Sequence, residues 1–291
     1  MIPPPTIACP SGRGGHQASY QWTKDGWHLY RCTTCRHLWV SPLPTEQELI
    51  AFYDRGYFQG DPSKRGYADY DADKQSVKKD FIRSLEEIEQ RIPNGRLLDI
   101  GAATGFFCQV AKERGWEVQG VELSDYAAGL GRARGLDIRT GTFEQHARAL
   151  SGASVVTAWD VVEHLRDPFI FFQGVHALLE PGGLFMCALP QGDSLFARCL
   201  RPYWTLMAPP QHLHYFSLQS IQAALQQAGF EIVSIDWRGK DFPVGYIIHF
   251  VMGWFKIDWK WLEHVASWPW LSRISIRINP HDMMIVMARK P

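Results

Sequence analysis

Residues 96–122, RLLDIGAATGFFCQVAKERGWEVQGVE, decide the fold of this chain. The apolar run at 96–100 predicts a buried parallel strand, which ends in the small-residue loop 101–105. A helical pattern at 106–114 and a second strand at 116–121 follow, and an acidic residue closes the stretch. The order strand, glycine loop, helix, strand and acid predicts the first half of a nucleotide-binding βαβ unit.

The glycine loop and the acidic residue each have a chemical use in such a unit. Glycines let the backbone approach a ligand closely, and the N-terminus of the next helix offers N–H groups to it. Glu122 lies 21 positions after Gly101, near the spacing of about 20 at which a carboxylate binds ribose hydroxyls. The loop reads G-x-x-x-G and not G-x-G-x-x-G, which disfavours a dinucleotide.

Two motifs in this stretch resemble those of the class I S-adenosylmethionine-dependent methyltransferases. LLDIGAATGFF, residues 97–107, resembles motif I, whose loop wraps the amino-acid part of the cofactor. GVELS, residues 120–124, resembles the acidic motif that holds the adenosyl ribose. The resemblance implies S-adenosylmethionine as cofactor and S-adenosylhomocysteine as product. The residues that it assigns to the cofactor in these motifs are Asp99, Gly101, Ala102, Gly105, Phe106, Glu122 and Leu123.

Length, composition and charge restrict the class of protein to which the chain can belong. The chain has 291 residues, of which 46% are hydrophobic, enough for one large or two small domains. Lys plus Arg and Asp plus Glu both number 30, so the overall charge does not favour a nucleic-acid partner. The first residues show no signal-peptide pattern, and the six cysteines are scattered, so we expect a cytoplasmic enzyme.

The first 60 residues have the plan of a zinc ribbon. A knuckle-like segment at Cys9 and a Cys32–Cys35 pair bracket a predicted hairpin. Glycine occupies the place of the second cysteine of the first knuckle, and His16, just beyond it, is the best placed fourth ligand. His37 is expected to pack against a neighbouring tryptophan instead. The sequence therefore leaves two alternatives, a zinc site at Cys9, His16, Cys32 and Cys35, or a metal-free ribbon held by aromatic residues.

Residues 31–58 resemble the start of a methyltransferase subgroup that carries an N-terminal zinc-binding module. Some members of that subgroup act on sugars, polyketides or other secondary metabolites. We therefore predict a zinc-ribbon-like module at 1–60, a linker and amphipathic helix at 61–95, and the methyltransferase domain at 96–291. A helical insertion is expected within that domain at 239–280.

The predicted fourth strand, 154–159, ends in the polar segment DVVEHLRDP. Ligands of open parallel sheets bind beyond the carboxyl ends of the strands, where the strand order reverses. This segment resembles the motif after strand four of the same family, which implies that Trp159 and Asp160 line the cofactor. His164 is the best candidate for a general base, since its unperturbed pKa of about 6.5 suits proton removal. The alternative is that His164 only caps the turn through backbone hydrogen bonds.

Two further segments hold candidate site residues. The resemblance implies that Thr142 and Phe143 lie beside the adenine ring, while a helix cap by Thr142 with Phe143 in the core is the alternative. Residues 197–217 combine aromatic residues, histidines and paired prolines without a clean periodicity, which indicates a substrate wall. His212 and His214 alternate as on a strand and should point in opposite directions, one as an acid or base and the other structural.

The region 244–270 is apolar and rich in tryptophan. Its longest apolar run, 244–255, is shorter than the roughly 20 residues that cross a bilayer. A helical insertion over the substrate cavity, a peripheral membrane contact and a homodimer face remain as alternatives. The final apolar segment, 282–288, predicts the antiparallel edge strand of the sheet.

Taken together, the sequence predicts a Rossmann-like, seven-stranded α/β methyltransferase fold with a small N-terminal module. The predicted function is methyl transfer from S-adenosylmethionine to a small molecule, with His164 or His212 as base if the acceptor is a hydroxyl or an acidic carbon. The chain does not indicate whether the acceptor atom is O, C, N or S. A nicotinamide-dependent oxidoreductase and a non-catalytic cofactor-binding module are the alternatives.

Overall fold

The computed structural model describes residues 6–11, 15–45, 47–49, 77–150, 152–245, 248, 268 and 274–291. The predicted linker and most of the tryptophan-rich region lie outside these residues. The first four strands are β1 (Thr6–Ala8), β2 (Gln17–Lys24), β3 (Trp27–Cys32) and β4 (Leu38–Ser41). They form an antiparallel sheet in which β2 and β3 are the predicted hairpin.

The remaining strands build a second, larger sheet and a short ribbon, except for β10 (His214–Tyr215), which joins the N-terminal sheet. They are β5 (Arg96–Ile100), β6 (Glu117–Glu122), β7 (Asp137–Thr140), β8 (Ala153–Trp159), β9 (Leu179–Pro190), β10 (His214–Tyr215), β11 (Glu231–Trp237), β12 (Lys240–Pro243), β13 (Ser275–Ile278) and β14 (Met283–Arg289). The larger sheet has the order β11-β14-β9-β8-β5-β6-β7, parallel except for β14. The predicted seven-stranded α/β fold is therefore confirmed.

The strand order of this sheet locates the functional site. The chain runs outward from β5 to β7 and then returns to β8 on the other side of β5. Strands β5 and β8 are paired in parallel register, with Leu97 opposite Val155 and Ile100 opposite Ala158. The loops after these two strands diverge to opposite faces and leave a crevice between them, which is where open α/β sheets bind ligands.

Helices cover both faces of the large sheet. The helices of the chain include α1 (Lys78–Glu89), α2 (Phe106–Glu113), α3 (Asp125–Ala133), α4 (Phe143–His146), α5 (Pro168–Leu178), α6 (Leu195–Leu200) and α7 (Leu218–Gln227), of which α6 packs against β3 and β4 of the N-terminal sheet instead. The predicted amphipathic helix is α1, which buries Phe81, Leu85 and Ile88 against α2 and the sheet. Burial of each such side chain contributes about 1.5–3 kcal/mol. Helices α5 and α7 cover the opposite face.

The N-terminal sheet is joined to the catalytic half by a strand from residues 197–217. Strand β10 adds to the edge of β4, with His214 opposite Trp39. This segment, predicted to be a substrate wall, contains the end of α6 and β10, and most of its large side chains are buried, although Tyr203 is 73% exposed. Trp204 is fully buried, and its Nε1 donates to Asp282 at 2.9 Å. Packing against the N-terminal sheet therefore explains Trp204 and Tyr215, and contact of the segment with substrate stays a prediction.

The segment 239–280, predicted to be a helical insertion, begins and ends in β-strands. Strands β12 and β13 pair as a two-stranded ribbon at its two ends. Most of residues 244–270, to which the membrane and dimer alternatives refer, lies outside the described residues. Within the part of the chain that is described, no helix has the length and apolar character to cross a bilayer.

Candidate functional site

The glycine loop after β5 has a backbone that only small residues can adopt. Gly101 has φ +73°, and a Cβ at that position would collide with Cγ2 of Val161. Gly105 has φ +81° and precedes the first residue of α2, where a Cβ would collide with Leu136. Ala103, between them, is held at φ +48°. A non-glycine residue in this region is strained by about 1–3 kcal/mol, which is typical of functional loops.

Glu122 stands at the carboxyl end of β6, beside this loop. It is 7% exposed, and its two carboxylate oxygens accept the amide N–H groups of Ala103 and Ser124, both at 2.8 Å. Burial raises the pKa of Glu122, and these backbone N–H groups oppose that rise. The carboxylate is thus fixed in orientation, and each oxygen keeps acceptor capacity for a ribose hydroxyl. The loop and Glu122 together fit the cofactor that the sequence motifs imply.

The other predicted residues of this motif lie around the loop with different roles. Asp99 is 2% exposed and accepts hydrogen bonds from Thr157 at 2.7 Å and from Cys108 at 3.6 Å. It therefore ties β5 to β8 beneath the loop. Ala102 is buried in the loop, whereas Phe106 and Leu123 are half-buried beside it. A direct contact of any of them with the cofactor stays a prediction.

Thr142 and Phe143 show the structural roles that were the alternative to adenine contact. The Thr142 hydroxyl accepts from the amide of Gln145, whose side chain bonds back to the Thr142 amide, a capping box at the start of α4. Phe143 is buried against Phe171 with ring centroids 5.4 Å apart. Their contact with an adenine ring stays a prediction.

The turn after β8 faces the same crevice. Asp160 has φ +55°, another strained position, and its amide donates to the carbonyl of Ala188 at 3.1 Å. The Trp159 ring packs against Phe81 and Phe107 at centroid distances of 5.2 and 5.0 Å. Its Nε1 is buried and has no hydrogen-bond acceptor among the described residues.

A cavity of about 80 Å³ opens beside Trp159 and Asp160. Its wall also includes Phe81 and two side chains of β14, Met283 and Ile285. Arg238 reaches it as well, but its guanidinium already donates to the Asp80 carbonyl and the Ser84 hydroxyl, both at 2.6 Å. The cavity is therefore mainly apolar and aromatic.

His164 and His212 come together next to this turn, although 47 residues separate them. Their rings meet edge to face with centroids 4.8 Å apart. His164 Nδ1 lies 2.7 Å from the Gln211 carbonyl, and His212 Nδ1 lies 2.7 Å from the Leu206 carbonyl. A carbonyl can only accept, so each Nδ1 donates its proton to that carbonyl, and His164 also makes a backbone hydrogen bond with Asp160.

The environment keeps both imidazoles neutral. Burial lowers the pKa of His164 to about 4, against the opposing effects of the Gln211 carbonyl and Asp160. Burial, followed by the charge of His164, lowers the pKa of His212 to about 3. The ligand atoms of Glu163, His164 and His212 all lie within 4.8 Å of one another, and Glu163 is 1% exposed. The backbone carbonyls that orient the pair could not be found from sequence, because any residue supplies a carbonyl.

His214 has the structural role expected of one member of the 212–214 pair. Burial lowers its pKa to about 4, and its Nε2 donates to the Arg166 carbonyl at 3.4 Å. Its Nδ1 therefore accepts a hydrogen bond from His37 Nε2 at 3.0 Å. His37 also stacks on Trp39 with centroids 5.8 Å apart, which confirms the predicted packing.

The structure also brings together the four residues that the sequence suggests as metal ligands. The ligand atoms of Cys9, His16, Cys32 and Cys35 all lie within 4.8 Å of one another. The sulfurs of Cys9 and Cys35 are 3.8 Å apart, as expected for two thiolates about 2.3 Å from a tetrahedral zinc ion. The amides of Thr34 and Cys35 donate to the Cys32 sulfur at 3.4 and 3.3 Å. The donor set and its geometry fit zinc.

Comparison with known proteins identifies the family of the chain. The profile of a family described as "Methyltransferase domain" matches residues 70–235, more than half of the chain. The ubiquinone biosynthesis O-methyltransferase of Ruegeria pomeroyi is 26% identical over 197 residues, which cover 60% of this chain and 79% of that protein. The protein of the same name from Bordetella avium is 26% identical over 160 residues, covering 50% and 66%.

A solved structure supports the fold independently. A SAM-dependent methyltransferase from Archaeoglobus fulgidus superimposes with a TM-score of 0.51 at 17% identity, over 74% of this chain and 95% of that one. This likeness confirms the fold, and the family match confirms the predicted cofactor and reaction over the oxidoreductase alternative. The chain belongs to the methyltransferase-domain family and is an S-adenosylmethionine-dependent methyltransferase of the class I fold.

Proposed function

We propose that the enzyme methylates a hydroxyl oxygen of a small aromatic molecule. The observation that carries this proposal is the His164–His212 pair, two buried, neutral imidazoles in edge-to-face contact beside the turn after β8. A hydroxyl must lose its proton during methylation, whereas a thiolate or a neutral amine can react by proximity alone. The apolar, aromatic cavity beside Trp159 suits a flat, weakly polar acceptor. The names of the two relatives fit the same chemistry.

The low pKa of the pair indicates when the proton moves. S-adenosylmethionine, when bound, supplies a methyl group on a sulfonium, and S-adenosylhomocysteine is its product. A base of pKa about 4 cannot ionise a phenol of pKa about 10 beforehand, because that gap costs about 8 kcal/mol. An imidazole of the pair therefore accepts the proton as the oxygen attacks, when the hydroxyl has become acidic. The nearby Asp160 favours the imidazolium that forms.

The cofactor residues have separate tasks in this proposal. The backbone at Gly101, Ala102 and Gly105 encloses the amino-acid part, and Glu122 binds the ribose hydroxyls. Asp99 and Phe106 support the loop, and Trp159 and Asp160 separate cofactor from acceptor. Leu123, Thr142 and Phe143 form the adenine end.

The test is transfer of a labelled methyl group to matched acceptors. A panel of phenols and catechols is compared with the corresponding thiophenols and anilines. We expect turnover on the hydroxyl compounds, and loss of that turnover in His164→Ala with S-adenosylhomocysteine affinity unchanged. Turnover on anilines or thiophenols only, or equal rates in His164→Ala, would overturn the proposed O-methylation. Cofactor binding without turnover on any acceptor would support the non-catalytic alternative.

We also propose that Cys9, His16, Cys32 and Cys35 bind one structural zinc ion. Its tetrahedral site would close the N-terminal module, which has too small a core of its own to be stable. Elemental analysis of protein purified without added metal should give one zinc per chain, reduced by Cys32→Ser. A zinc content near zero in the wild type would favour the metal-free ribbon. The cytoplasmic location and the peripheral membrane or homodimer contact at 244–270 stay predictions.

A further inference from the structure

The four candidate metal ligands, Cys9, His16, Cys32 and Cys35, are connected to the His164–His212 pair through residues 211–217. On the side of the N-terminal sheet, the Val40 amide donates to the Leu213 carbonyl at 2.9 Å. The Ser217 hydroxyl donates to the carbonyl of Cys35 at 2.7 Å. Cys35 is one of the four candidate ligands, so the segment is hydrogen-bonded directly to the backbone of the cluster.

The opposite side of the same segment is bonded to the turn after β8. The Leu213 amide donates to the Glu163 carbonyl at 2.8 Å. The Gln211 carbonyl accepts the Nδ1 proton of His164 at 2.7 Å, and His212 lies on the segment itself. The relative position of the two histidines is therefore set by the segment, because its backbone orients one ring and carries the other.

His37 makes the connection through side chains. Its carbonyl accepts the Cys32 amide at 2.8 Å, which fixes its backbone to the metal knuckle. Its Nε2 donates to His214 Nδ1 at 3.0 Å, two residues from His212. The ring is fully buried and contacts Phe169 and Phe216 at centroid distances of 5.9 and 4.6 Å. Because water cannot replace this buried hydrogen bond, losing it displaces the segment or leaves a polar atom unsatisfied.

We propose that zinc at Cys9, His16, Cys32 and Cys35 positions the His164–His212 pair, with His37 as the positioning residue that connects them. This inference rests on the proposed role of the pair in catalysis. Metal binding fixes the Cys32–Cys35 knuckle, and the knuckle fixes the positions of His37 and the Cys35 carbonyl. Hydrogen bonds from these two groups in turn fix residues 211–217. Misplacement of a catalytic group by about 1 Å can cost about 100-fold in rate. The cofactor loop is not part of this connection, so cofactor affinity is independent of it.

The first experiment separates positioning from folding with three full-length variants. His37→Leu removes the donor, His37→Gln restores a donor near the Nε2 position, and His28→Leu is a control in the same sheet whose ring bonds only locally to Thr23. We expect kcat to fall about 30-fold in His37→Leu, to recover to within about threefold in His37→Gln, and to stay at the wild-type value in His28→Leu. Zinc content and S-adenosylhomocysteine affinity should stay within about twofold in all three. An unchanged kcat in His37→Leu, or no recovery in His37→Gln, would overturn the proposal.

The second experiment reads the histidine pair without turnover. Long-range ¹H–¹⁵N spectra of the wild type should show His164 and His212 as neutral Nδ1–H tautomers. The signals are assigned with the variants His164→Gln and His212→Gln. Removal of zinc with a chelator should shift or broaden both signals while S-adenosylhomocysteine still binds. Unchanged signals in metal-free protein, or a wild type that holds no zinc, would overturn the coupling. This readout remains valid if no hydroxyl acceptor is methylated, so failure of the coupling is distinguishable from failure of the proposed function.

Discussion

The cofactor half and the acceptor half of the crevice are built in opposite ways. The glycine loop, the start of α2 and Glu122 come from one stretch of 27 residues, 96–122. The acceptor half combines the turn after β8 with residues 206–214 and with the sheet edge at β4. Local contacts therefore determine the first half, and long-range packing determines the second. We therefore expect a substitution in the acceptor half to lower kcat without changing cofactor affinity, and a substitution in the cofactor half to weaken cofactor binding.

The sharpest test of this separation is to damage the acceptor half alone. His164→Ala should lower kcat by about 1000-fold, because positioned acid–base groups contribute about 100- to 10,000-fold. S-adenosylhomocysteine affinity, measured by calorimetry, should change by less than about twofold. His176→Ala is the matched control, since His176 packs on Phe230 away from the crevice. A parallel loss of cofactor affinity in His164→Ala would show that the halves are coupled.

The reciprocal test damages the glycine loop. Gly101→Ala should weaken S-adenosylhomocysteine binding by about 100-fold, because the new Cβ collides with Val161 at a left-handed φ. Gly115→Ala has a similar left-handed φ of +92° but open space around the Cβ. It should cost about 1 kcal/mol of unfolding free energy and leave binding intact. Equal binding losses in both variants would mean that backbone strain alone, and not the shape of the loop, sets the affinity.

A smaller effect is expected from the acidic residue of the cofactor half. Glu122→Ala removes hydrogen bonds to a charged acceptor, each of which contributes about 1.5–3 kcal/mol, so affinity should fall about 30-fold. Glu117→Ala, at the exposed start of the same strand, should leave affinity unchanged. The measurement is calorimetric titration of both variants with S-adenosylhomocysteine. Wild-type affinity in Glu122→Ala would remove this carboxylate from the site.

The last prediction concerns how stability and the bond-forming rate of the acceptor half depend on pH. An unfolded histidine takes a proton near pH 6.5, whereas folded His164 and His212 do so near 4 and 3. The unfolded state therefore binds more protons, and stability should fall as pH decreases from about 6.5 to 4. Chemical denaturation of His212→Asn should show a shallower pH dependence than the wild type. Over the same range the bond-forming rate should stay level, since the bases remain neutral; an acid limb near pH 6.5 would contradict this.

The sequence alone predicted most of the sheet, because buried parallel strands leave apolar runs and glycines leave breaks. The strand predicted at 154–159 is observed as Ala153–Trp159, and the helix predicted at 106–114 as Phe106–Glu113. The structural role of residues 197–217 was missed, because aromatic residues packed between two sheets have the same composition as a substrate wall; their contact with substrate stays a prediction. The strands β12 and β13 were missed, since their pairing joins segments separated by an insertion.

The sequence by itself determined the cofactor and predicted its loop, and it named four candidate metal ligands and two candidate catalytic histidines. Each of these assignments rests on spacing within a short stretch or on the chemistry of a single side chain. Only the tertiary structure decided which groups meet: His164 with His212, His37 with His214, and Ser217 with the backbone of Cys35. The physical reason is that these contacts use backbone carbonyls and buried side chains from distant segments. Their position depends on how the two sheets share β10, which no local pattern in the chain encodes.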